Sequence, residues 1–131
     1  MSRFSLISAA ALAIAAAAAP AVSLAQPAHE NENTCFARRF VEGFSAPDNQ
    51  TVYLRVGVSD IYRLKLFSDC LDLTYRNAIG LEDQPASAFI CSPLEATVVY
   101  RHNGMSQRCP VTEIHKLTPA EIAAAPKGEL P

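Results

Sequence analysis

The sequence predicts a small, mainly β domain: an antiparallel sheet or partly closed barrel of about five strands, with a short C-terminal helix and two disulfides. Three observations carry this. Thr51–Val56 and Ile61–Phe67 each alternate apolar and polar residues with the period of a strand, and a short Gly/Ser/Asp link separates them. Four cysteines are spread along the chain with no two close together. Near the end, Thr118-Pro119-Ala120-Glu121 is the start signal of a single short helix.

The first 25 residues set the compartment. Arg3, an alanine-rich apolar run from Phe4 to Ala19, Pro20 and Ser23-Leu24-Ala25 together read as a secretory signal peptide. Its parts are a cationic start, an apolar stretch too short to span a bilayer, and small residues at the −3 and −1 positions of a cleavage site. Cleavage after Ala25 leaves 106 residues, Gln26 to Pro131, enough for one domain. A chain of this size buries roughly 65% of its unfolded surface, so a core alone holds it by a thin margin.

The mature segment carries ten Lys+Arg against thirteen Asp+Glu, a net charge of −3. No run of one sign marks a nucleic-acid or anionic-membrane footprint. After the leader no apolar run approaches ~18 residues, so no transmembrane anchor is expected, and no cysteine at the cleavage site offers a lipid anchor. The expected location is periplasmic or secreted.

Cys35, Cys70, Cys91 and Cys109 are separated by 34, 20 and 17 residues. Structural zinc sites and thioredoxin-like redox pairs both need close cysteine pairs, so this spacing points to two structural disulfides, with three pairings open. The preferred pairing is Cys70–Cys91 with Cys35–Cys109. Each bridge is worth on the order of 3–4 kcal/mol by loop closure.

Residues 26–34 are polar and aperiodic, an expected disordered lead-in. The domain then runs over 35–125 and a tail over 126–131. Cys35 to Phe44 is a short segment closed off by Gly43 and Pro47-Asp48-Asn49. In the hairpin, Val52, Leu54 and Val56 share one face with Tyr62, Leu64 and Leu66. Leu73 to Ile79 suits one or two helical turns ended by Gly80, and Glu82 to Ser87 a polar loop. Further strands are expected at Ala88–Cys91, Glu95–Arg101 and Gln107–Lys116, the last two joined by a tight turn at Asn103-Gly104. Cys109 and Val111 have one parity and Ile114 the other, so a bulge or kink near Pro110 is expected.

Several of these segments, namely Cys35-Phe36, Thr51–Gly57, Asp60–Leu64, Leu66-Phe67 with Cys70, Ile90-Cys91-Ser92, Cys109-Pro110-Val111 and Lys116–Glu121, resemble a family of small exported bacterial proteins catalogued as domain of unknown function 6491. The resemblance runs from about Cys35 to Ala123 and departs at Thr74-Tyr75, where the family pattern is an acidic residue followed by tryptophan. It implies an exported, disulfide-bonded domain and brings no activity or site residue.

Candidate chemistry is sparse. His29 and His102 are expected in solvent, and His115 lies between Ile114 and Lys116 near a strand end. No elbow motif presents a nucleophile to any of them. Asp69, Asp72, Glu82 and Asp83 lack a calcium-loop pattern and read as solvated or capping acids. Gly57 and Gly80 are isolated, so no phosphate-cradling loop is present. No metal or cofactor is expected. By parity Tyr53, Arg55, Arg63 and Lys65 lie together on the hairpin face opposite the apolar one. Tyrosine with arginine is the composition of binding hot spots, but it is also that of an ordinary solvated sheet face, which is the favoured reading of these four residues by themselves. The reading is therefore an exported, non-enzymatic domain that binds a protein or envelope component. The alternatives are a small envelope hydrolase with an unrecognised site, or an inhibitor of a secreted hydrolase.

Overall fold

A computed structural model of the chain describes residues 34–83 and 87–131. The expected leader, His29 and nearly all of the lead-in lie outside the described residues. The two alternating segments do form a hairpin, β3 (Thr51–Val56) with β4 (Asp60–Leu66), in the register Val52↔Leu64 and Leu54↔Tyr62. Gly57 turns the link with φ +62°, a conformation that costs glycine nothing.

Eight strands are described rather than about five. Besides the hairpin they are β1 (Phe36–Ala37), β2 (Val41–Asp48), β5 (Gly80–Asp83), β6 (Phe89–Ile90), β7 (Ala96–His102) and β8 (Met105–Lys116), followed by helix α1 (Pro119–Ala124). Six of them form one antiparallel sheet in the order β2-β3-β4-β8-β7-β5, curled into a half-barrel, and β1 and β6 form a two-stranded sheet. No helix among the described residues is long and apolar enough to cross a membrane.

The core lies on the concave side. Val52, Leu54, Leu64, Leu73, Ile90 and Val98 are fully buried, and Phe36, Tyr62, Tyr100 and Val111 pack with them. The parity conflict in β8 is relieved by a register shift: Lys65 pairs with Glu113 but Leu66 with Val111. Thr112 is thus the extra residue of a bulge, two positions beyond Pro110. This lets Cys109, Val111 and Ile114 all turn inward. Asn103 and Gly104 both take positive φ between the paired His102 and Met105, the geometry of a two-residue hairpin loop.

Three expectations are corrected. The helical turns over Leu73–Ile79 reduce to one 3-10 turn at Leu73–Tyr75. Gly80 does not cap it but opens β5 opposite Val99, whose Cγ2 would lie 2.8 Å from any Cβ at that position. The expected polar loop at Glu82 starts as strand, because Glu82 and Asp83 pair with Thr97 and Ala96.

The disulfides are Cys35–Cys91, with Cα atoms 4.0 Å apart, and Cys70–Cys109, with Cα atoms 6.3 Å apart, in place of Cys70–Cys91 and Cys35–Cys109. The sheet register dictates this. Phe36 pairs with Ile90 across β1 and β6, so the flanking Cys35 and Cys91 are brought together. Phe67 N–H donates to the Pro110 carbonyl at 2.9 Å, holding the segment after β4 beside β8 and Cys70 beside Cys109.

Candidate functional site

Strand parity sends every second side chain of β2, β3, β4 and β8 to the convex face of the half-barrel. Register then sorts them into rows. Ser45, Tyr53, Arg63 and His115 lie directly opposite one another across four strands. On one side of this row Gly43, Arg55 and Ile61 form a second row, and on the other Asp48, Thr51, Lys65 and Glu113 form a third. The four residues singled out by parity are thus brought onto one face, each half-buried.

Most of this face is already engaged. Arg63 Nη2 donates to Glu113 Oε1 at 3.0 Å and Lys65 Nζ to the buried Thr51 Oγ1 at 2.9 Å. The Tyr53 hydroxyl donates to Glu129 Oε1 at 3.1 Å, and Ser45 Oγ donates to the Glu129 main-chain carbonyl. Burial first, and then the bonded Glu129 carboxylate, raise the Tyr53 phenol above its ordinary range. Arg55 differs: among the described residues its side chain makes no hydrogen bond or ion pair, and its Nε is shut off from solvent without a partner. Its Nη2 lies above Gly43, where an added Cβ would sit 3.5 Å from it and 3.7 Å from Pro131 Cβ. The Nε of Arg63 is also enclosed and unpaired.

Sequence reasoning located the face but missed what lies on it. After α1, Glu129 N–H donates to the Pro126 carbonyl at 3.2 Å and Gly128 adopts φ +85°, a turn with its glycine where positive φ is demanded. The turn brings residues 129–131 back over Ser45, Tyr53 and Gly43. The 126–131 tail therefore contributes a half-buried end that covers the sheet. Pro126 and Gly128 signalled the helix stop, but no periodicity signals where a three-residue segment docks.

A second concavity occupies the seam where the half-barrel fails to close. Between edge strands β2 and β5 a cavity of about 290 Å³ is lined by Val41, Phe44, Leu54, Ile79 and Leu81. Arg38 straps it, donating from Nη1 to the Leu81 carbonyl at 3.2 Å and to Asp83 Oδ1 at 2.6 Å. Asp83 is buried and takes a further bond from Ser87 N–H at 2.8 Å. β2 is a poor template for an added strand: register shifts at Val41/Gly43 and Ser45/Asp48 bulge it, and it contains Pro47.

The remaining candidate groups sit apart from one another. His102 is not in open solvent: its side chain is 16% exposed, with Nδ1 3.3 Å from Asp72 Oδ2 and Nε2 3.0 Å from Asn103 Nδ2. His115 Nε2 lies 3.0 Å from the Glu121 carboxylate. Asp69 accepts from Gln50 Nε2 at 2.7 Å, and Glu82 pairs with Arg108. No group of three His, Cys, Asp or Glu side chains positioned to hold a metal occurs among the described residues.

The family model described as "Family of unknown function (DUF6491)" matches residues 1–129. No curated protein and no solved structure matches the chain.

Proposed function

The chain belongs to that family of unknown function, and we propose that it is an exported, non-enzymatic binding domain that meets a protein or envelope component through the convex face carrying Tyr53, Arg55, Arg63 and Lys65. Export rests on the leader-like first 25 residues and accords with two disulfides, which persist in oxidising compartments. The observation that carries the binding reading is the unspent Arg55. A half-buried guanidinium with an enclosed, unpaired Nε beside a tyrosine is costly to a fold unless something answers it. Arginine and tyrosine are also the side chains that anchor interfaces.

Photocrosslinking tests this reading in the intact envelope. A photoreactive residue at Lys65, on the rim of the face, yields a discrete adduct that Arg55→Glu and Arg63→Glu each diminish. Adducts unchanged by both charge reversals contradict the proposal.

A further inference from the structure

We propose that residues 129–131 occupy this face as a stand-in, in cis, for an acidic segment of a partner protein, which binds by displacing them. The inference rests on the reading of the convex face as a docking surface and adds the chemistry of what docks.

The cis segment shows what the face accepts. A glutamate side chain takes the Tyr53 hydroxyl, and the main-chain carbonyl of the same residue takes Ser45 Oγ. Bonding both the side chain and the backbone of one residue recognises a positioned glutamate rather than a diffuse negative charge. At Gly43 the segment comes close to the sheet: a Cβ there would touch both the Arg55 guanidinium and Pro131, at 3.5 and 3.7 Å. Arg55 is the cation that the cis segment leaves unanswered among the described residues. A partner with a second carboxylate just after the position of Pro131, which lies with Arg55 over Gly43, would therefore gain a charge-assisted hydrogen bond that the cis segment does not make.

The same facts make the cis segment displaceable. Among the described residues its polar hold on the sheet consists of these two bonds, both accepted by Glu129, and it is tied back by a turn at Gly128. A tethered segment competes at an effective concentration on the order of millimolar. A partner in trans is weakened by the fraction of time the face is covered, so removing the cis contact strengthens partner binding.

The test uses the full mature chain and a synthetic peptide with the sequence of residues 126–131 followed by one added aspartate. Glu129→Lys in the protein weakens the cis contact, because lysine cannot accept the Tyr53 hydroxyl and adds a cation to a face that already carries Arg55, Arg63 and Lys65. The peptide is expected to bind this variant at least tenfold more tightly than the unmodified protein. Replacing its glutamate by glutamine, or adding Tyr53→Phe to the variant, is expected to weaken binding at least fivefold. No binding to the Glu129→Lys protein, equal binding to both proteins, or indifference to the peptide's glutamate each overturns the inference. Those results leave standing a docking face for some other partner, which the Lys65 crosslink tests separately.

Discussion

Tyr53 and Glu129, 76 residues apart in the chain, are joined by a hydrogen bond of 3.1 Å across the convex face of the half-barrel. The contact ties the last described residues to the central hairpin and covers part of the face on which strand parity gathers Tyr53, Arg55, Arg63 and Lys65.

Tyr53→Phe keeps the ring and removes the bond. The expected loss is about 0.5–1.5 kcal/mol, read as a lower urea midpoint at unchanged slope, together with faster amide exchange at Glu129 and Leu130. Unchanged exchange at those two amides would show that the bond does not hold the segment.

Arg38 and Asp83 strap the seam between β2 and β5 with a 2.6 Å ion pair whose carboxylate side chain is only 4% exposed. Arg38→Ala strands that carboxylate with one remaining donor, Ser87 N–H. Because the arginine itself is half exposed, the expected cost is about 1–3 kcal/mol rather than that of a fully buried pair. Denaturant unfolding checks it, and Arg38→Lys should recover part of the loss.

Glu121 closes the capping box of α1, accepting from Thr118 N–H at 2.7 Å, and also faces His115. Foremost the backbone bond to Thr118, and then His115, hold its carboxyl down from 4.5 to about 2. A depressed carboxyl stabilises the folded state fully above its unfolded pKa and loses that contribution as pH falls through the folded one. Helix stability should therefore decline between about pH 4.5 and 2, and Glu121→Gln should remove that limb. An NMR titration of Glu121, with the α1 amides followed in parallel, measures both.

Cys35 and Cys91 are exposed, whereas Cys70 and Cys109 are each 5% exposed. Under graded dithiothreitol the first pair should open before the second, giving a two-thiol species alkylated only at Cys35 and Cys91. Peptide mapping without reduction should recover 35–91 and 70–109 as the linked fragments. Serine at both Cys35 and Cys91 should cost about 2–5 kcal/mol.

The sequence was most legible where local chemistry and tertiary environment agree. The β3–β4 hairpin, the Asn103-Gly104 turn and the Thr118 cap each state their structure within a few residues. β2 did not, because Gly43, Pro47 and two bulges break its alternation, which is what keeps an edge strand from pairing further. β5 was hidden because its glycine has a packing reason, Val99, that no neighbouring residue announces. The disulfide pairing follows from a two-residue sheet, Phe36–Ala37 against Phe89–Ile90, too short to leave a periodic trace. The site was half legible. Parity gathered Tyr53, Arg55, Arg63 and Lys65, but which cations are spent on Glu113 and Thr51, and which one is left, depends on contacts between distant segments.

Chemical-shift mapping tests the central claim most directly. Labelled Glu129→Lys protein is titrated with the acidic peptide, and backbone and side-chain resonances are followed at every described position. The predicted result is saturable shifts concentrated at Ser45, Tyr53, Arg55 and Arg63, with the Arg55 Nε–H moving most. Shifts confined to Val41, Phe44 and Leu81 at the seam, or none that saturate, would contradict it.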